Sequence, residues 1–279
     1  MTNPIADPFV EVPDTDSQSP LVILDATVEG AATVTINRPG RGNAINAEVV
    51  AALREAFETL EGADGVRVVF VAGAGGAFSA GEDPESSCEA ADHTEADNRD
   101  DAMQTAIMLE HLYGLPALTV ALVEGDAFGA GAGIAAACDF AVATAEARFA
   151  FSEVELGLTA ANSSPYVVAA VGPRRARGLF ATGRVIDAAT ARDIGLIDEV
   201  AANSAALAAV KARIVAETMA CAPGAVAASK RLVDRVAGRE IDHGLMEEIA
   251  HGLARARAGE EGQEGVRAAL QRRPPGWMA

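Results

Sequence analysis

Residues 121–139, ALVEGDAFGAGAGIAAACD, constrain the fold of this chain more than any other stretch. An apolar strand pattern from Leu118 to Val123 passes through a turn at Glu124, Gly125 and Asp126 into a segment of only Gly, Ala, Phe, Ile and Cys. Ala127 to Cys138 is a charge-free run of 12 residues, too short to cross a bilayer, which takes about 20. It reads as the start of a buried helix. Gly129, Gly131 and Gly133 carry no side chain, so another backbone or a ligand can approach closely. A helix N-terminus has free N–H groups and positive dipole character, which suit an anionic oxygen. A second turn of this kind is expected at Gly81 and Glu82, after a strand over Val66–Ala72. The two turns would offer two backbone donors.

Length allows one large α/β domain, or one domain with a small helical appendage. The formal charge of -18 argues against a nucleic-acid surface, which needs a basic face, and any anionic ligand must be held by local arginines. Cys88, Cys138 and Cys221 form no CxxC pair and are odd in number, so neither a disulfide framework nor a zinc site is expected. His93, His111, His243 and His251 show no HxxxH spacing, and no metal is expected. The first 20 residues lack a basic region and a long apolar core, unlike a signal peptide. A soluble cytoplasmic protein, with no membrane contact, is expected.

In chain order, residues 1–19 hold Pro4, Pro8, Pro13 and several acids without a period, and are expected to be a mobile tail. Strands are predicted over Leu21–Asp25 and Ala32–Asn37. Asn46 is a good N-cap for a helix to Leu60, with Val49, Leu53, Ala56, Phe57 and Leu60 on one face. The β-branched run Val66–Val71 follows as a buried strand, and strand–helix–strand implies a parallel unit. Residues 84–101 are acidic and aperiodic and are expected to be a mobile loop beside a site, followed by a helix over Ala102–Tyr113. After a strand over Phe140–Thr144, Ser163 or Ser164 is expected to cap a helix, with a further one over Arg174–Thr182. Asp187 should cap Ala188–Ile194, and residues 195–200 read as a short strand. From Ser204 the pattern is helical, with a break at Pro223. That gives a core over 20–203 and a helical part over 204–279 that needs the core or a second subunit to bury its faces.

Six pieces then carry a resemblance: TINRPGRGNAIN at 35–46, AFSAGED at 77–83, GDAFGAGAGIAAACD at 125–139, ARFAFSEVELGL at 147–158, ATGRVIDAATARDIGLIDEV at 181–200 and EGVRAALQRRPP at 264–275. In this order they resemble the crotonase superfamily, the enoyl-CoA hydratase/isomerase family, over residues 21–275. The resemblance implies an α/β crotonase spiral of ββα units with a helical C-terminal region that trimerises. It implies a homotrimer or a dimer of trimers, and an acyl-CoA thioester as ligand. Coenzyme A would enter only as part of the substrate, with no other cofactor.

By the same resemblance, the two oxyanion donors are the amides of Glu82, between Gly81 and Asp83, and of Ala130, where the family has the middle glycine of three. Ala80, Gly81, Gly129, Gly133 and Asn162 would line the thioester and acyl site. Arg38 and Arg41 lie in the loop that resembles the nucleotide contact, with Arg272, Arg273 and Lys230 as further candidates for the phosphates. Hydratases of the family hold water with two glutamates; the second matches Glu153, but the first falls on Gly133. One base is sufficient to move a double bond, taking a proton from C2 and returning it to C4, so isomerisation is favoured. Hydration stays open with Glu82 as a substitute acid, as does an acyl-CoA-binding role with little catalysis. Glu155, two residues on, would share the face of Glu153 if the segment is extended. Asp83 reads as a cap, and Ala161 stands where related dehalogenases and dienoyl isomerases place an acid. A dinucleotide loop at 129–133 fails on spacing, and a serine-hydrolase elbow around Ser79 lacks a following helix pattern.

Overall fold

The apolar runs become one sheet because their side chains are buried on both faces. The computed structural model describes residues 19–27 and 30–278, so the tail expected over 1–19 lies outside the described residues apart from Ser19. The chain opens with β1 (Val22–Ala26) and β2 (Ala31–Ile36), an antiparallel pair, then α1 (Ala47–Glu61) and β3 (Val68–Gly73). After α2 (Pro84–Ala90) and α3 (Glu95–Gly114) come β4 (Leu118–Val123), β5 (Asp126–Phe128) and α4 (Ala130–Ala137). Next are β6 (Phe140–Thr144), β7 (Arg148–Ala150), α5 (Ser164–Thr182), β8 (Ile186–Asp187), α6 (Ala188–Ile194) and β9 (Glu199–Ala201). Four α-helices follow, α7 (Ser204–Met219), α8 (Pro223–Val236), α9 (His243–Ala258) and α10 (Glu260–Gln271), and a 3-10 turn over Gly276–Met278 closes the described chain.

The main sheet has the order β1-β2-β3-β4-β6-β9 and is parallel from β2 onward, as the strand–helix–strand pattern requires. Alternate residues of β3 enter two cores. Val69 and Val71 join the residues of α1, α3 and α4, whereas Val68 and Phe70 pack with Leu207 and Ile214 of α7. A parallel sheet covered on both faces has no polar alternation, which is why Val68–Ala72 reads as a continuous apolar run. Phe70 is fully buried, and its truncation to Ala would cost about 3–5 kcal/mol. α1 starts where expected, with the Val49 N–H donating to Asn46 Oδ1 at 3.0 Å. It buries the predicted face together with Val50.

Two expectations need correction. Residues 84–101 are not a loop: Asp83 accepts from the Glu85 N–H to start α2, with Pro84 in its first turn, and Thr94 and Asp97 form a capping box that starts α3. These turns are almost wholly exposed, so no apolar stripe marks them, and the caps set the helices. Neither Ser163 nor Ser164 caps α5. Ser163 has right-handed helical backbone angles and makes no capping bond, and the Ser164 hydroxyl donates to Ala161 O. The two helices predicted there are joined at a kink where Gly172 has φ 77° and Pro173 follows.

A second, three-stranded sheet, β5-β7-β8, sits at the end of the main one and shapes the site. It also takes up Ala127 and Phe128, so the helix expected from the charge-free run begins only at Ala130. Among the described residues no helix is long and apolar enough to cross a membrane.

Candidate functional site

Backbone pairing brings the two glycine turns together. The Ser79 N–H donates to Asp126 O and the Phe128 N–H to Ser79 O, both at 2.9 Å, which lays residue 79 along β5. The chains leaving this pairing then abut. A Cβ on Gly81, where φ is +99°, would lie 3.0 Å from Phe128 O and 3.7 Å from Gly129 Cα. Gly129 itself has φ +47°. Both positions therefore need glycine, for backbone angle and for space.

Each glycine is followed by an amide without a protein acceptor among the described residues. Ile45 donates to Gly81 O at 2.8 Å and accepts from the Asp83 N–H at 2.9 Å. In such a parallel bridge the intervening residue, Glu82, turns its own N–H to the other side. Ala130 is the first residue of α4, and first-turn amides have no partner within the helix. Its backbone is right-handed helical, so alanine fits where the resemblance leads one to expect glycine, and its methyl packs on the main core.

Glu153 reaches this junction from a 3-10 turn over Ser152–Leu156, directly after β7. Its Oε1 lies 3.4 Å from the point a Cβ on Gly129 would occupy, and Oε2 is buried with no hydrogen-bond partner. Phe149 and Phe151 are buried on either side of Ala150, and Phe151 meets Phe180 edge-on at 5.3 Å between ring centres. Burial raises the Glu153 pKa above the ordinary 4.5, and the nearby charge of Glu82 pushes it the same way. A carboxyl so held suits proton transfer. Glu155 does not share this face, because the segment is a 3-10 turn and not a strand; its Oε1 sits beside Gly183.

Gly133 is one turn into α4, its N–H donating to Gly129 O at 3.0 Å. A Cβ there would stand 2.7 Å from both Cβ and Oγ of Ser163, so no larger side chain fits unless Ser163 moves. Asn162 beside it is half-buried, and Ala80 is exposed next to Gly42.

The cationic candidates are dispersed. Arg38 is largely internal, donating through Nη1 to Ala44 O at 2.6 Å and to Asp83 at 2.8 Å. Arg41 lies nearer the surface, paired with Glu85 at 2.8 Å. Arg273 forks onto Glu264, and Arg272 ends α10 with φ 55°. Lys230 donates to Leu115 O and Ala117 O and pairs with Asp139 at 2.6 Å, tying α8 to the sheet. Asp83 is 2% exposed and, besides starting α2, receives Arg38; it is a brace for the turn.

Two residues position the turn in a role the sequence did not assign them: Asn43, and Ser79, weighed there only as a hydrolase nucleophile. Asn43 is fully buried with φ +56°, donates through Nδ2 to Ala74 O and Ala77 O, and accepts from the Arg38 N–H. Ser79 donates to Asn43 O at 2.9 Å and accepts from the Gly81 N–H at 3.2 Å. The available signal was an Asn directly after Gly42, since Asn tolerates left-handed backbone in turns. Among the described residues no cluster of His, Cys, Asp and Glu could hold a metal ion.

The site thus sets two glycine turns side by side, each followed by an amide with no protein acceptor among the described residues, with the buried carboxyl of Glu153 against Gly129. It can stabilise a developing oxyanion while a proton is moved at a neighbouring atom. The sequence model of the enoyl-CoA hydratase/isomerase family matches residues 26–279. A Thermus thermophilus protein, provisionally named an enoyl-CoA hydratase, is 35% identical over 88% of this chain and 96% of its own. A 4-chlorobenzoyl coenzyme A dehalogenase of Arthrobacter is 33% identical over 62% of this chain and 63% of its own. The crystal structure of an enoyl-CoA hydratase from Mycobacterium smegmatis superposes with a TM-score of 0.87 at 32% identity, covering 94% of this chain and all (100%) of that one.

Proposed function

Because the chain belongs to the enoyl-CoA hydratase/isomerase family and is an enzyme of crotonase fold, we propose that it shifts the double bond of an enoyl-CoA thioester with Glu153 as its single acid–base group. The observation that carries this reading is the closure of position 133: glycine there, with Ser163 against it, leaves no place for a second carboxylate on α4. Glu153 takes a proton from C2, negative charge passes to the thioester oxygen, and the amides of Glu82 and Ala130 hold it. Glu153 then returns the proton to C4. Losing one such donor costs on the order of 100-fold to 1000-fold in rate. Ala80, Gly81, Gly129, Gly133 and Asn162 line the bound thioester. Arg41 and, through the loop it braces, Arg38 serve the coenzyme A phosphates, and the reaction needs no further cofactor.

Hydration is the second reading, favoured by the charge of Glu82 acting on Glu153 and by the hydratase names of relatives. Glu82 would then hold the water with Glu153. The helical region 204–279 is the trimerisation element, since Val233, Ile241, Leu253, Val266 and Leu270 are each more than half exposed in one chain. Cytoplasmic location accords with three unpaired cysteines.

The test is to incubate the protein with 2-enoyl-CoA and 3-enoyl-CoA, following ultraviolet absorbance and mass. Isomerisation gives conjugation from the 3-enoyl substrate without added mass, and Glu153→Gln abolishes it. Water addition to the 2-enoyl substrate overturns this reading in favour of hydration. Binding without turnover of either favours a binding role.

A further inference from the structure

The Ser79 side chain meets both glycine turns. It is fully buried, and its hydroxyl is committed twice: Oγ donates to Asn43 O at 2.9 Å and accepts from the Gly81 N–H at 3.2 Å, both bonds lying inside the protein. The buried Gly81 N–H needs such a partner because the chain turns there, with φ +99°, and leaves its pairing with β5. α4 rests on the same serine. A Cβ on Gly131, the second residue of that helix, would stand 2.7 Å from Ser79 Cβ, 2.9 Å from Ser79 O and 3.0 Å from Oγ. Glycine at 131 is what lets the helix start so close.

The two amides therefore take their places from one side chain. Glu82 is one residue beyond the hydrogen bond at Gly81, and Ala130 is one residue before the contact at Gly131. The main-chain bonds of Ser79 to Asp126 and Phe128 hold the same two segments in register. We infer that Ser79 is a positioning residue for the reaction: its hydroxyl holds the turn at Gly81 and Glu82 against the first turn of α4, and so sets the spacing of the Glu82 and Ala130 amides. The inference rests on the reading of those amides as donors to a thioester oxygen, but not on whether isomerisation or hydration follows. Ser79 does not itself attack substrate, since it is fully buried and its hydroxyl hydrogen is given to Asn43 O. Alanine would keep Cβ against Gly131 but leave Asn43 O and the Gly81 N–H unpaired, and the turn would be free to shift.

The test is infrared difference spectroscopy of hexanoyl-CoA, isotopically labelled at the thioester carbonyl, bound to the wild type, Ser79→Ala and Ser79→Cys, with affinities from calorimetry. Hydrogen bonds to a carbonyl oxygen lower its stretching frequency, and this saturated ligand has no double bond to shift or hydrate. The wild type is expected to lower the stretch on binding. Ser79→Ala should lower it less, while its affinity falls by no more than about fivefold, the effect of one net hydrogen bond. Ser79→Cys, whose thiol is a weak donor and acceptor, should fall between the two, and it carries the test if Ser79→Ala does not fold. In turnover Ser79→Ala should lose about tenfold to 100-fold in kcat, as a small misplacement of catalytic groups does. A stretch lowered equally in variants and wild type overturns the inference whatever happens to Tm, because a residue that only stabilises the fold leaves the bound carbonyl unchanged. A wild type that binds without lowering the stretch overturns the oxyanion reading, and one that does not bind overturns the acyl-CoA reading; the inference falls with either.

Discussion

Glu153 holds Oε1 3.4 Å from the point a Cβ on Gly129 would occupy and buries Oε2 without a partner. A charged carboxylate there is destabilised by burial first and by the Glu82 charge second, so its folded-state pKa lies above the ordinary 4.5. The stability this group contributes is fully present below about 4.5 and is lost as pH rises through the folded value. Glu153→Gln should therefore raise Tm relative to the wild type at pH 8, with the gain vanishing as pH falls towards 4.5. In turnover the same variant should lose about 100-fold to 10,000-fold in kcat. A Tm difference that does not change with pH contradicts the assignment.

Glu82 supplies an amide to the site and a charge to Glu153. Glu82→Gln keeps the amide and removes the charge. The acidic limb of kcat/KM should move to lower pH, because Glu153 then ionises more readily, while isomerisation persists. Loss of a hydration activity in this variant would instead identify Glu82 as a water-holding acid.

Gly133 and Ser163 are sterically coupled. Gly133→Ala should destabilise by about 1–3 kcal/mol through overpacking, and Ser163→Gly in the same chain should restore most of it. Gly133→Glu alone should gain no hydratase activity, whereas Gly133→Glu with Ser163→Gly has room for the second carboxylate. Denaturant midpoints and the enoyl-CoA assay check both statements.

Arg38 and Asp83 pair at 2.8 Å with side chains only 13% and 3% exposed. Removing one partner leaves a buried charge uncompensated, so Arg38→Ala or Asp83→Asn should each cost about 3–5 kcal/mol. The double variant should cost clearly less than the sum, as a coupled pair requires. If Arg38→Ala leaves stability unchanged while weakening coenzyme A binding, Arg38 is a phosphate contact and not a brace.

Much of the scaffold was legible because local rules act over a few residues. The burial face of α1, its cap Asn46, the parallel β2–α1–β3 unit, the cap Asp187 and the helical run from Ser204 follow from periodicity, capping chemistry and β-branched runs. Where those signals conflict with exposure they mislead, as at residues 84–101, whose acidic surface hides two helices that caps alone specify.

The sequence by itself determined which residues are available for chemistry: two glycine turns, a glutamate two residues after Phe151, and no carboxylate at position 133. Only the tertiary structure decided how they are used. Distance and burial between segments far apart in sequence are set by packing, which no local pattern encodes. Thus Arg38 is drawn inward by Asp83, 45 positions away, Lys230 is taken up by Asp139 and two carbonyls of the α3–β4 connection, and Glu155 turns from Glu153 because the chain there is a 3-10 turn. Ser163, expected to cap a helix, faces Gly133 because its backbone is already helical and its hydroxyl cannot reach the helix amides.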